Sequence, residues 1–282
     1  MILDRTRPPA YSQTFDISLK EAETYYFGTT PVHVVQAGDQ DVIKLEILFR
    51  GAGSRMDIKK GESYLTWKLL AQGTPTRTAE EIAESFDQYG GFTESSPSLD
   101  TPSFTLYCLS RNLEKLLPVL EDVIRNASFP EEEFQLTRDI VREQLRIQNN
   151  KNNILASKLF REKLFGPDHP YGKIMFEDDL DSLQQEEIST FYTNYAAQPE
   201  LLISGKISQK DIETIGSVFS TNSERSTSSY DLPEVNYQET SYTLEKEKSL
   251  QSSLRIGLRT IPKSHEDFLS LKIATHALGG YF

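Results

Sequence analysis

Gly61-Glu62-Ser63-Tyr64-Leu65-Thr66-Trp67-Lys68-Leu69-Leu70-Ala71-Gln72-Gly73-Thr74 is the stretch on which the fold turns. Residues 61–72 read as a helix, with Gly73 placed as its C-terminal cap. Upstream, residues 32–37 and 42–49 read as strands. The turn chemistry of Gly38-Asp39-Gln40-Asp41 between them predicts a hairpin. Gly51 and Gly53 end the second strand. Downstream, Thr78 and Glu81 form a capping box for a helix running to about Tyr89, which Gly90-Gly91 breaks.

Further out, residues 92–101 are polar and irregular, and 103–109 alternate as a strand does. Leu113, Leu116, Leu117, Leu120, Val123 and Ile124 have helical spacing. Phe129-Pro130-Glu131-Glu132-Glu133 opens a long helix, with proline and acids where a first turn favours them. A break over residues 149–153 precedes another helix, 154–165. A helix over 185–195, a strand over 201–207, a strand over 252–259 and a helix over 267–278 complete the reading. Residues 221–229 are Ser/Thr-rich and read as a linker. This divides the chain into a first unit, 1–220, and residues 230–282, which read as the start of a second unit. Strands joined by short turns with helices grouped between them predict an α+β fold.

The chain has 282 residues with 37% hydrophobic and 10% aromatic content, enough for a substantial core. Its net charge of −12 argues against nucleic acid and against an anionic membrane as the main partner. Residues 1–18 lack the apolar centre of a secretory signal, and no run approaches the ~20 apolar residues of a membrane span. A cytoplasmic protein is expected. The single cysteine, Cys108, sits among apolar neighbours and reads as a buried structural thiol.

The four histidines, His33, His169, His265 and His276, include no pair three to five residues apart, so no helix presents two to a metal. There is no G-x-S-x-G nucleophile elbow and no phosphate-binding glycine loop. Asp178, Asp179 and Asp181 read as residues of a helix start. From residue chemistry alone, the chain is a soluble α+β protein without a stated role.

The opening stretch resembles the H-x-x-E-H helix of the insulinase/pitrilysin metallopeptidases, which ends in a Gly-Thr pair. Other segments agree in order. The approach over residues 48–55, Gly90-Gly91-Phe92, Phe129-Pro130-Glu131 and Phe165-Gly166-Pro167-Asp168-His169-Pro170-Tyr171-Gly172 all resemble segments of that family. So do residues 201–207 and Leu278-Gly279-Gly280. The resemblance implies a mainly antiparallel sheet with helices packed on it, followed by a second similar domain. It puts Tyr64 and Lys68 at the two histidines, Trp67 at the glutamate and Glu143 at the third zinc ligand.

Positions i, i+3 and i+4 share a helix face, so all three replacements are expected to point to the place of the metal. An ammonium has no lone pair, an indole only donates, and a phenol ligates poorly unless ionised. The resemblance therefore implies zinc in active relatives, and no cofactor and no catalytic residue here. Glu143 is expected to pair with Lys68, with a solvated position on its helix as the alternative. The role implied is a non-catalytic subunit that binds extended peptides beside a zinc-bearing chain of the same family, as in processing peptidases. Peptides in this family add to a sheet edge, and Phe92, Thr93, Glu94, Ser95 and Ser96 match that edge. Pro97 and Pro102 nearby could instead protect it from stray pairing. The arginine and tyrosine with which degenerate bacterial relatives hold substrate are expected beyond Phe282. A scaffold without peptide handling, and an active hydrolase with unrecognised ligands, remain open.

Overall fold

The computed structural model describes residues 20–196, 198–222, 233, 235, 241–247 and 249–279. Six strands form one sheet: β1 Glu23–Phe27, β2 Thr30–Gln36, β3 Val42–Leu48, β6 Phe92–Ser96, β7 Ser103–Leu109 and β8 Glu200–Gly205. A two-residue hairpin, β4 Gly73–Thr74 and β5 Arg77–Thr78, stands apart from it. The helices are α1 Glu62–Leu69, α2 Ala79–Asp87, α3 Leu113–Arg125, α4 Glu131–Asn149, α5 Asn152–Phe165, α6 Gln185–Tyr195, α7 Gln209–Val218 and α8 Phe268–Gly279.

The strand order is β1-β2-β8-β3-β7-β6, antiparallel except between β2 and β8. The fold is thus α+β with a mainly antiparallel sheet, as read from the sequence. Alternation sets its faces. Val32, Val34, Ile43, Leu45, Ile47, Phe104, Leu106, Leu201 and Ile203 are buried in one core with the helices. On the other face Lys44 and Glu46 pair at 2.7 Å. Cys108 lies in the core, where burial pushes its thiol up to about 11, away from nucleophilic chemistry.

The hairpin expected across Gly38-Asp39-Gln40-Asp41 does not form. β8 enters between β2 and β3 and takes up the ladder bonds they would have exchanged. Ala37 N donates to Gly205 O at 3.2 Å, and Lys206 N donates to Val42 O at 3.1 Å. The insertion needs glycine at 205: its φ is +124°, and a Cβ would sit 2.1 Å from the Val42 carbonyl oxygen. Turn residues specify that the chain reverses, but not that the two arms close on each other.

Other boundaries shift as well. α1 ends at Leu69, so Gly73 is not its cap. Instead Gly73 lets the β4 hairpin approach α4, since a Cβ there would lie 2.7 Å from Pro130 Cγ. β1 and α7 are elements the sequence reading missed. For α7 the signal was present: Ser208 and Asp211 form a capping box. The strand predicted over 252–259 has the alternation but no pairing partner among the described residues, and Leu254, Ile256 and Leu258 stand exposed. Of the predicted linker, residues 223–229 lie outside the described residues, as do 1–19. No helix among the described residues is long and apolar enough to cross a membrane.

Candidate functional site

α1 crosses the helical layer against α4 and α6, and its start is fixed by the residues before it. Asp57 accepts from Gly61 N at 3.0 Å and Ser63 N at 2.9 Å, satisfying two amides of the first turn. In return Ile58 N donates to Glu62 Oε2 at 2.8 Å. Burial pushes the Asp57 carboxyl up to about 7, against the downward pull of those amide bonds.

The structure separates the three residues that the resemblance aligned with the metal. Trp67 does not face a site. It is fully buried, stacked on Phe49 at 4.3 Å and edge-on to Tyr192 at 6.0 Å, with Nε1 donating to Ala52 O at 2.9 Å. At ~100° per residue, position 67 lies about 60° round the helix from Tyr64 and 100° from Lys68, enough for a large apolar side chain to swing into the core. Tyr64 and Lys68 do share a face, with the ammonium 5.9 Å from the ring centroid. Burial raises the Tyr64 pKa, which makes its phenolate harder to form.

Glu143 does not pair with Lys68. Its carboxylate is exposed, and its ion partner is Arg146 at 3.8 Å on its own helix. The inward face of α4 carries Val141, Gln144, Leu145 and Gln148, spaced i, i+3, i+4, i+7, and Glu143 falls on the opposite side. The buried Phe134, Val141 and Leu145 already marked that face in the sequence. Gln144, one residue on, occupies the place expected of Glu143.

These donors do not fit a zinc ion. An ammonium, a hydrogen-bonded core indole, a phenol held protonated and an amide offer no set of three ligands. Among the described residues no cluster of three or more His, Cys, Asp or Glu could hold a metal.

What the helices enclose instead is a cavity of about 280 Å³. α1 contributes Tyr64, with Asp57, Lys60 and Gly61 just ahead of it, and α4 contributes the face that includes Gln144. α5 contributes Lys158 and Arg161, and the loop after it Pro170, Lys173 and Met175. Pro97, Ser98 and Leu99, which continue directly from β6, line the cavity as well. That segment is held by hydrogen bonds from Ser54 N to Ser98 O and Arg55 N to Leu99 O, both 3.0 Å, and from Tyr171 Oη to Asp100 Oδ1 at 2.7 Å. Lys158, Arg161 and Lys173 come from segments with no motif, so sequence reading could not gather them.

β6 is the last strand of the sheet, and among the described residues no strand pairs with its outer side. The expected edge residues, Phe92 to Ser96, are therefore at an edge. Ser95 Oγ donates to the Trp67 carbonyl, tying the edge to α1. Pro97 and Pro102 lie in the loop beyond the strand, not on it.

An edge strand tied to a short helix that faces a long one defines the metallopeptidase architecture indicated by the motifs. The chain matches the sequence model of Insulinase (Peptidase family M16) over residues 41–167, a little under half its length. It is 25% identical over 237 residues to the uncharacterized zinc protease YmxG of Bacillus subtilis, covering 82% of this chain and 57% of that one. An uncharacterized zinc protease of Mycobacterium leprae is 24% identical, covering 82% and 54%. The chain thus spans little more than half the length of these relatives. Among solved structures, an inactive peptidase M16 domain of Pseudomonas fluorescens has the same fold, with TM-score 0.66 and 22% identity over 71% of this chain and 50% of that one. A protease of Helicobacter pylori has it with TM-score 0.65 and 21% identity, over 79% and 55%.

Proposed function

We propose that the protein is a non-catalytic, substrate-binding partner of a zinc-bearing peptidase chain of its own family. One observation carries the reading: the face of α1 that would have to hold the metal presents Tyr64 and Lys68, while Trp67 is committed to the core. A lysine ammonium beside a dication adds repulsion and no lone pair. The exposed sheet edge supports the peptide-binding half of the reading. Among the described residues the outer edge of β6 is unpaired and offers backbone groups for β-augmentation, and the strand runs directly into Pro97, which lines the cavity. Hydrolysis would then be the partner's task, with this chain holding an extended peptide in register.

Zinc content settles the first half. The purified chain, loaded with zinc and freed of excess, is expected to carry none stoichiometrically by elemental analysis; one zinc per chain would reopen catalysis. Mixing tests the second half. A zinc-bearing chain from the same genome should cleave an unstructured peptide faster when this chain is added, and an unchanged rate would remove the partner role.

A further inference from the structure

We propose that the cavity beside α1 is an oxyanion site, in which Lys158, Arg161 and Lys173, with Lys60 at its side, receive a carboxylate borne by the extended peptide that adds to β6. The inference rests on the peptide-binding reading above and names the chemistry it selects.

Charge distribution is the first observation. The chain carries 42 acidic and 30 basic side chains, yet the cavity lining has four basic residues and one acid, Asp57. That acid spends both oxygens on the amides of Gly61 and Ser63 and forms no direct ion pair with the four, acting on Lys173 only through space. The partners of the cations are the second observation. Lys158 Nζ donates to Asn149 Oδ1 at 2.7 Å and to Met175 O at 3.1 Å. Arg161 Nη2 donates to Lys173 O at 3.1 Å, and its Nε is buried without an acceptor. Lys173 Nζ donates to the Asp57 carbonyl at 3.5 Å. All of these are neutral oxygens. Among the described residues Lys60 alone of the four has a carboxylate within reach, Asp179 at 3.5 Å.

Glu177 and Asp179 act on Lys158 and Asp57 on Lys173 only through space, without a direct ion pair among the described residues, so three part-buried cations whose direct partners are neutral oxygens carry a cost that a bound anion relieves. Burial lowers the pKa of both Lys158 and Arg161, which reflects that cost. Val141, Leu145 and Met175 line the same space, and apolar walls strengthen a charge pair formed inside it. Position supplies the class of ligand. Pro97, Ser98 and Leu99, the residues that follow β6, line the cavity, so a strand lying along β6 passes beside it. A volume of about 280 Å³ suits one acidic side chain or a terminal residue, not a folded partner.

The test is fluorescence anisotropy on the full chain with a labelled unstructured peptide bearing one glutamate, its glutamine counterpart, and inorganic phosphate as competitor. The glutamate peptide should bind about tenfold tighter than the glutamine one, the weight of a charge-assisted hydrogen bond. In an Arg161→Gln/Lys173→Gln variant that preference should vanish while the glutamine peptide binds as before. If that variant does not fold, Lys158→Met alone should reduce the preference, and salt should erode it in the unaltered chain. Equal binding of the two peptides would overturn the oxyanion site and leave peptide binding standing. If neither peptide binds, the peptide reading fails. The oxyanion site then survives only if phosphate raises the melting temperature of the unaltered chain and not of the variant.

Discussion

Restoring the family's glutamate at position 67 is expected to wreck the fold instead of rebuilding an enzyme. Trp67 is fully buried, stacked on Phe49 and edge-on to Tyr192. Removing a buried tryptophan side chain costs about 3–5 kcal/mol. Placing an unpaired carboxylate there adds roughly 1–3 kcal/mol even after it neutralises itself by protonation. Trp67→Glu should therefore lose about 5 kcal/mol or more, comparable with the whole stability of many domains. Trp67→Phe should lose about 1–2 kcal/mol, because the Ala52 carbonyl keeps a second donor, Ser63 Oγ at 3.0 Å. The assay is urea unfolding by far-UV circular dichroism, compared at the midpoint and slope. Trp67 is the only tryptophan, so its emission in the unaltered chain independently reports a buried indole. A Trp67→Glu chain within about 1 kcal/mol of the parent would mean that position 67 faces the cavity, and the assignment of the α1 faces would fall.

Four further outcomes follow from the same geometry. Asp57 holds a proton in the folded chain up to about pH 7, whereas an unfolded aspartate releases it near 3.9. Its contribution to stability is therefore present at low pH and is lost as the pH rises through that window, by at most roughly 1.4 kcal/mol per unit. Asp57→Asn should flatten that part of a urea-midpoint profile. Gly205→Ala should cost about 1–3 kcal/mol from the positive φ alone, and more from the contact with Val42 O, read by thermal unfolding. Lys68→Met should change stability by less than about 0.5 kcal/mol, since no carboxylate pairs with it among the described residues; a large loss would revive the pair with Glu143. Finally, Tyr64→His/Lys68→His should not bind stoichiometric zinc with Glu143 as it stands, whereas adding Gln144→Glu should produce it, as judged by elemental analysis.

The sequence by itself determined the resemblance to a family, the α+β class and most elements, because alternation, helical spacing, capping boxes and glycine pairs are local signals that side-chain chemistry writes along the chain. It also placed Tyr64, Trp67 and Lys68 at the motif positions where the resemblance implies histidine, glutamate and histidine. Two things were decided only by the tertiary structure. One was the partner of each strand: the turn at Gly38-Asp39-Gln40-Asp41 looks like a hairpin, but β8, some 160 residues later, offers Leu201 and Ile203 to the same core and takes the place between the arms. The other was the direction of each side chain. Trp67 turns inward because burying an indole outweighs the register of the motif, and Glu143 turns outward because Val141 and Leu145 claim the inner face of α4. The cationic cavity belongs with these. Lys60, Lys158, Arg161 and Lys173 are unremarkable where they stand in the chain, and only packing α5 and its following loop against α1 and α4 brings their charges together.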